Sequence, residues 1–102
     1  MALKREDFAA TVGYQGTLAV VDRKVRGLMK KMTLSQALEN GMYRAAFAAA
    51  LYEAEQSGSK DVLITVLDTL SKVFKRDLTE EDAKRLLGIQ RVPAEIHKVL
   101  LL

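Results

Sequence analysis

Cysteine is absent from these 102 residues, as is tryptophan, and the chain holds one proline, one histidine and six glycines. Without Cys there is no disulfide, zinc thiolate site, iron–sulfur cluster or Cys nucleophile, which suits an intracellular setting, and a cytoplasmic location is expected. The lone His97 cannot supply a site of two His ligands, and no Ser-His-acid spacing accompanies it. Pro93 is the only proline, so no such breaker interrupts residues 1 to 92. Long apolar runs are missing too. The longest uncharged stretch, Phe8 to Val21, is too short to span a bilayer and carries Gly13 and Gly16, so no membrane span is expected. The opening residues Met1-Ala2-Leu3-Lys4-Arg5-Glu6-Asp7 turn polar at once, unlike a secretory leader.

What is present is enough apolar material, 49% of residues, for a core in one domain covering residues 1–102. The net charge of +3 is unevenly spread, with +4 in residues 1–31 and −1 in residues 32–102. Ala45-Ala46-Phe47-Ala48-Ala49-Ala50-Leu51-Tyr52 is apolar or small on every side of a helix for two turns. Neighbours must therefore cover it all round, and five Ala in eight positions let them come close. This predicts a central helix from Met42 to Gln56, stopped by Ser57-Gly58.

Other helices are bracketed by local signals. Lys4 to Thr11 reads as a weak helical segment, followed by a turn at Gly13-Tyr14-Gln15-Gly16. Leu18, Val21, Val25, Leu28, Met29 and Met32 fall at helical spacing, predicting a helix from Thr17 to Met32. The competing reading pairs Thr17–Val21 as a strand with Ala9–Val12, because Thr-Leu-Ala-Val-Val favours strands. Thr33-Leu34-Ser35-Gln36 has the form of a capping box, and Asn40-Gly41 supplies a stop. Ser59 is the predicted cap of a segment with Val62, Leu63, Val66, Leu67, Leu70, Val73 and Phe74 on one face, from which Ile64 departs. Thr79-Glu80-Glu81-Asp82 opens another helix, closed at Gly88, and Pro93 suits the start of a last helix, Ala94 to about Leu101. The expected fold is an all-α orthogonal bundle of five to seven short helices around the Ala-rich one.

Two local resemblances occur. Leu78 to Leu100 superficially resembles a helix-turn-helix, although Ala94 and His97 stand where apolar anchors belong. Gly41-Met42-Tyr43-Arg44-Ala45-Ala46 resembles the Gly-x-Tyr-x-x-Ala turn of a tetratricopeptide repeat over six residues. No second copy follows, so no repeat array is expected.

Candidate sites are few. Arg23, Lys24, Arg26, Lys30 and Lys31 form a run of five cations without an acid, and on a helix all five lie opposite Val21, Val25, Leu28 and Met32. Such a face could neutralise phosphates of a nucleic acid. Ile64 and the closing Val99-Leu100-Leu101-Leu102 are candidate interface residues, since apolar groups there must dock on the chain's own core or on a partner. The acids Glu6-Asp7 and Glu80-Glu81-Asp82 sit where helix starts favour them. Gly13-Tyr14-Gln15-Gly16-Thr17 lacks the Lys of a phosphate-binding loop. No catalytic set, cofactor, metal site or small-molecule substrate is expected. The leading expectation is a small interaction module that self-associates or binds a protein partner, and the alternative is a nucleic-acid binder using residues 23–31.

Overall fold

A computed structural model describes residues 3–89, 96 and 98–102. The chain begins with α1 (Arg5–Ala9), β1 (Thr11–Gln15), β2 (Leu18–Val21) and α2 (Arg23–Lys31). It continues through α3 (Leu34–Glu39), α4 (Tyr43–Ser57), α5 (Asp61–Phe74), α6 (Glu80–Leu87) and β3 (Lys98–Leu101). The all-α expectation is therefore wrong. Six helices accompany a three-stranded mixed sheet in the order β1-β2-β3, antiparallel between β1 and β2 and parallel between β2 and β3.

The predicted helix from Thr17 to Met32 divides at Asp22. Leu18–Val21 pairs back on the chain, and α2 begins only at Arg23. A two-residue loop, Gly16-Thr17, joins Gln15 to its partner Leu18, and Gly16 has φ +60°. Glycine at the first loop position fits the twist of a tight hairpin, since it enters the left-handed region without a Cβ clash. The hairpin uses Thr11–Gln15 as the partner of β2, not Ala9–Val12, and its register slips between Thr11 and Gly13. Asp22 then ends the strand and starts the helix, its carboxylate accepting from the Val25 amide at 3.0 Å.

The expected last helix, Ala94 to Leu101, is also corrected. Its start lies outside the described residues, and Lys98–Leu101 is a strand with Val99 opposite Ala19 and Leu101 opposite Val21. No second helix of a helix-turn-helix occupies those four residues. The apolar end of the chain thus docks on its own sheet, and parallel pairing is possible because the intervening helices carry the chain back over the fold.

α4 occupies the middle. Ala45 to Leu51 and Ala54 are all buried, and α1, α3 and α5 pack on it. Ala46, Phe47, Ala49 and Ala50 are 0% exposed, so small side chains let neighbouring helices approach on several sides. Around this rod lie Leu63, Val66 and Leu70 of α5, Ala83 of α6, Met29 of α2, and Ala19 and Val21 of β2. The local stops behave as their chemistry requires. The Thr33 and Thr79 hydroxyls accept from Gln36 and Asp82 amides, at 3.1 and 3.2 Å. At the start of α5, Ser59 stands one residue before the cap position, and its hydroxyl accepts from the Asp61 amide at 3.4 Å. Tyr43, at the start of α4, meets the Phe74 ring edge-on with centroids 5.9 Å apart.

Candidate functional site

The basic run is placed by α2, which is fixed at both ends. Asp22 caps its start, the Asp22 amide donates to the Ala10 carbonyl at 2.9 Å, and the Arg5 guanidinium donates to the Met29 carbonyl at 3.2 Å. Arg5 also reaches Glu53 of α4 at 2.7 Å, tying the end of α2 to the central helix through α1. Met29 is 0% exposed, and Val25 and Met32 pack against the core, so the apolar side of α2 is occupied.

The five predicted cations do not act together. Arg23, Lys24, Lys30 and Lys31 are exposed, and none of them makes an ion pair among the described residues. Arg26 is instead engaged within the fold, its Nε donating to Asp7 Oδ1 at 2.6 Å. The hydrogen bond and charge of Asp7 raise the Arg26 guanidinium above its ordinary pKa, and it stays charged. Asp7 itself is 5% exposed and accepts the Lys4 amide with its other oxygen. Sequence reading placed Asp7 only as a helix-start acid. Its role as the partner of Arg26 arises from the crossing of α1 and α2, a contact no local pattern encodes.

A second candidate surface is the sheet. Register assigns its faces: Ala19 and Val21 point into the core with Val99 and Leu101, while Leu18 and Val20 share the outer face with Lys98 and Leu100. Apart from Lys98, the β2 and β3 positions of that outer face are apolar, where an exposed sheet surface is normally polar. Leu100 is 48% and Leu102 66% exposed, Leu18 and Val20 are half-buried, and Gly13 beside Val20 adds no side chain. Leu18 and Val20 went unnoticed as surface residues because a helical reading of 17–32 put Leu18 on its apolar face.

The two sheet edges differ. At β1 the register slip around Val12 distorts the edge, and the Thr11 carbonyl accepts from Arg44 Nη1 at 3.1 Å. At β3 there is no slip, and no strand pairs with its outer side among the described residues. Lys98 and Leu102 donate their amides to Thr17 and Val21 of the β2 side. In a parallel ladder this directs the N–H and C=O of Val99 and Leu101 to the open side.

Ile64, the remaining interface candidate, is 54% exposed on α5 and lies on no strand. His97 lies outside the described residues. Tyr14 is 45% exposed, and partial burial pushes its phenol up, against the lowering influence of Thr11 and Arg44. A pocket of about 260 Å³ opens beside Thr11 and Met42. Its ionisable lining groups are Asp22, Tyr43 and Arg44, of which Asp22 caps α2 and Arg44 holds the Thr11 and Leu87 carbonyls. A pocket of about 340 Å³ is lined by Glu81, Lys84 and Arg85, which are already paired along α6. Among the described residues no group of three His, Cys, Asp or Glu could hold a metal ion, and no helix is long and apolar enough to cross a membrane. Comparison with known protein families, curated proteins and solved structures finds no match for this chain.

Proposed function

We propose that the chain is a protein-interaction module, not an enzyme, and that it pairs with a second copy of itself through the open edge of β3. The carrying observation is the open, unpaired edge of β3. Edge strands ordinarily carry charges, prolines or bulges that discourage pairing; β3 has one charge, Lys98 at its first position, and then offers Val99, Leu100 and Leu101 without charge, proline or bulge.

A second copy suits this edge because antiparallel pairing about a two-fold axis at Leu100 is self-complementary. Val99 of each copy then faces Leu101 of the other, and each such pair exchanges two main-chain hydrogen bonds. Leu100 meets its own counterpart on the outer face, extending the apolar strip of Leu18, Val20 and Leu100 across a continuous sheet.

Magnitudes set the strength. Each main-chain hydrogen bond contributes about 0.5–1.5 kcal/mol net. Association costs about 4 kcal/mol or more in lost freedom, so the leucine contact has to carry the balance. The pair is therefore weak, with a dissociation constant of roughly 1 µM or higher. A cytoplasmic location belongs to the same proposal, since a chain without Cys needs no oxidising compartment.

Sedimentation equilibrium over a wide concentration range tests this. The unaltered chain is expected to pass from monomer to dimer as concentration rises. Leu100→Lys is expected to stay monomeric with an unchanged melting temperature, and Ile64→Lys to dimerise as before. A monomer at every concentration up to about 1 mM, or a dimer indifferent to Leu100→Lys, overturns the reading.

A further inference from the structure

The free side of α2 has a geometry that self-association does not use. At 3.6 residues per turn, Arg23 and Lys30 lie in one row along the helix and Lys24 and Lys31 in a second. The cations within each row are spaced by about 10 Å, and the rows stand roughly a quarter-turn apart. Gly27 lies between them. A glycine inside a helix weakens it, so its presence asks for a packing or contact reason. Packing gives none, because nothing in the chain lies within 4 Å of the position a Cβ would take there. The result is one half-buried backbone position without a side chain, flanked on both sides by exposed cations that make no ion pair among the described residues, on a helix whose other side is anchored in the core.

We propose that this face of α2 docks double-stranded nucleic acid, with the helix lying in the major groove and its two cation rows against the phosphates of the two opposed strands. The major groove is about 12 Å wide and admits one α-helix bounded by a phosphate strand on either side, which two rows straddling a bare centre would match. The absent side chain at Gly27 lets the backbone sit closer to the groove floor. Arg26, beside the Arg23 and Lys30 row, takes no part, since Asp7 engages its guanidinium. Phosphate contacts of this kind position the protein without reading bases, so binding is tolerant of sequence. An anionic membrane suits the face less well. Leu28, 36% exposed, is the one apolar group at its margin, α2 has no aromatic residue, and its apolar side is already buried.

Fluorescence anisotropy with a labelled mixed-sequence DNA duplex tests the assignment, alongside vesicles containing anionic phospholipid. Four phosphate contacts predict a slope of log affinity against log salt of about −3.6, which is roughly a 150-fold loss between 50 and 200 mM salt. Each single change among Arg23→Gln, Lys24→Gln, Lys30→Gln and Lys31→Gln is expected to reduce that slope by about one, while folding, followed by circular dichroism, is unchanged. Gly27→Gln is expected to keep or raise the melting temperature and still weaken duplex binding, a combination that loss of structure cannot produce. No duplex binding at 50 mM salt, binding unaltered by the four changes combined, or binding to vesicles in preference to duplex overturns the proposal.

Discussion

Asp7 and Arg26 meet where α1 crosses α2, carboxylate oxygen to Nε at 2.6 Å, with the Asp7 side chain 7% and the Arg26 side chain 27% accessible. Removing Arg26 leaves the buried Asp7 carboxylate without its counter-charge, the costly case, whereas removing Asp7 leaves a guanidinium that water can reach. Because part of Arg26 still reaches water, the loss falls below the extreme. Asp7→Ala is expected to lower the urea midpoint, since it removes this ion pair and the bond to the Lys4 amide together. Arg26→Gln should lower the midpoint further, because it strands the buried carboxylate, and the double variant should lose less than the sum, because each change removes the same contact.

Two glycines should respond in opposite directions. Gly16 turns the hairpin at φ +60°, a conformation in which a side chain is strained. Gly16→Val is therefore expected to cost about 1–2 kcal/mol. Gly27 lies in a regular helix with open space around it, and Gly27→Ala should gain up to about 1 kcal/mol. Thermal melts of the two variants, run beside the unaltered chain, check the pair.

The difference between what the sequence revealed and what it concealed follows the range of the interactions. Thr33, Thr79, Gly41 and Gly88 act within three or four residues, so the helix ends they make could be read directly. Ala45–Leu51 announced its burial because no polar face was available to it. The sheet left weaker marks. Leu18-Ala19-Val20-Val21 is apolar on both faces, so it lacks the alternation that identifies a half-buried strand, and Val21 and Val25 happened to fit a helical spacing. Asp22, which the helical spacing passes over, is the cap that divides strand from helix. β3 takes its identity from a partner some eighty residues earlier in the chain, as Val99 pairs with Ala19. The cations of residues 23–31 were visible by composition, but which one the fold withdraws depends on Asp7, nineteen positions away.

Acid should loosen α6 early. The Thr79 amide and hydroxyl, with Arg85, hold the Asp82 carboxyl below its usual value. Burial alone would raise Glu80, but Lys84 and Lys60 leave it lowered as well. A carboxyl whose folded pKa lies below its unfolded one stabilises at pH above the unfolded value, near 3.8 for Asp and 4.5 for Glu here, and loses that contribution as pH falls through the folded value. Urea midpoints are therefore expected to decline from about pH 5 downward. Asp82→Asn should flatten part of that decline and lower the midpoint at neutral pH, where the native carboxylate is fully effective. A decline unchanged in Asp82→Asn and Glu80→Gln together would place the acid sensitivity elsewhere.

The central helix sets the severest test of the packing. Ala49 is 0% exposed in a helix contacted by α1, α3 and α5, and small residues at such positions let backbones approach until there is no slack. Ala49→Leu must push a neighbour aside or leave its rotamer minimum, at an expected cost of about 1–3 kcal/mol. Phe47, also 0% exposed, fails in the opposite sense: Phe47→Ala opens a cavity and should cost about 3–5 kcal/mol. The two changes are separable by more than their size. Restoring volume to Phe47→Ala with Leu should recover part of the loss, whereas a second enlargement beside Ala49→Leu should deepen it. Native-state hydrogen exchange gives the independent check, because amides from Ala45 to Leu51 should open only with global unfolding and so set the slowest rates in the chain. If those amides exchanged faster than the ones in α5, α4 would not be the element around which the rest is built, and both substitutions should then prove mild.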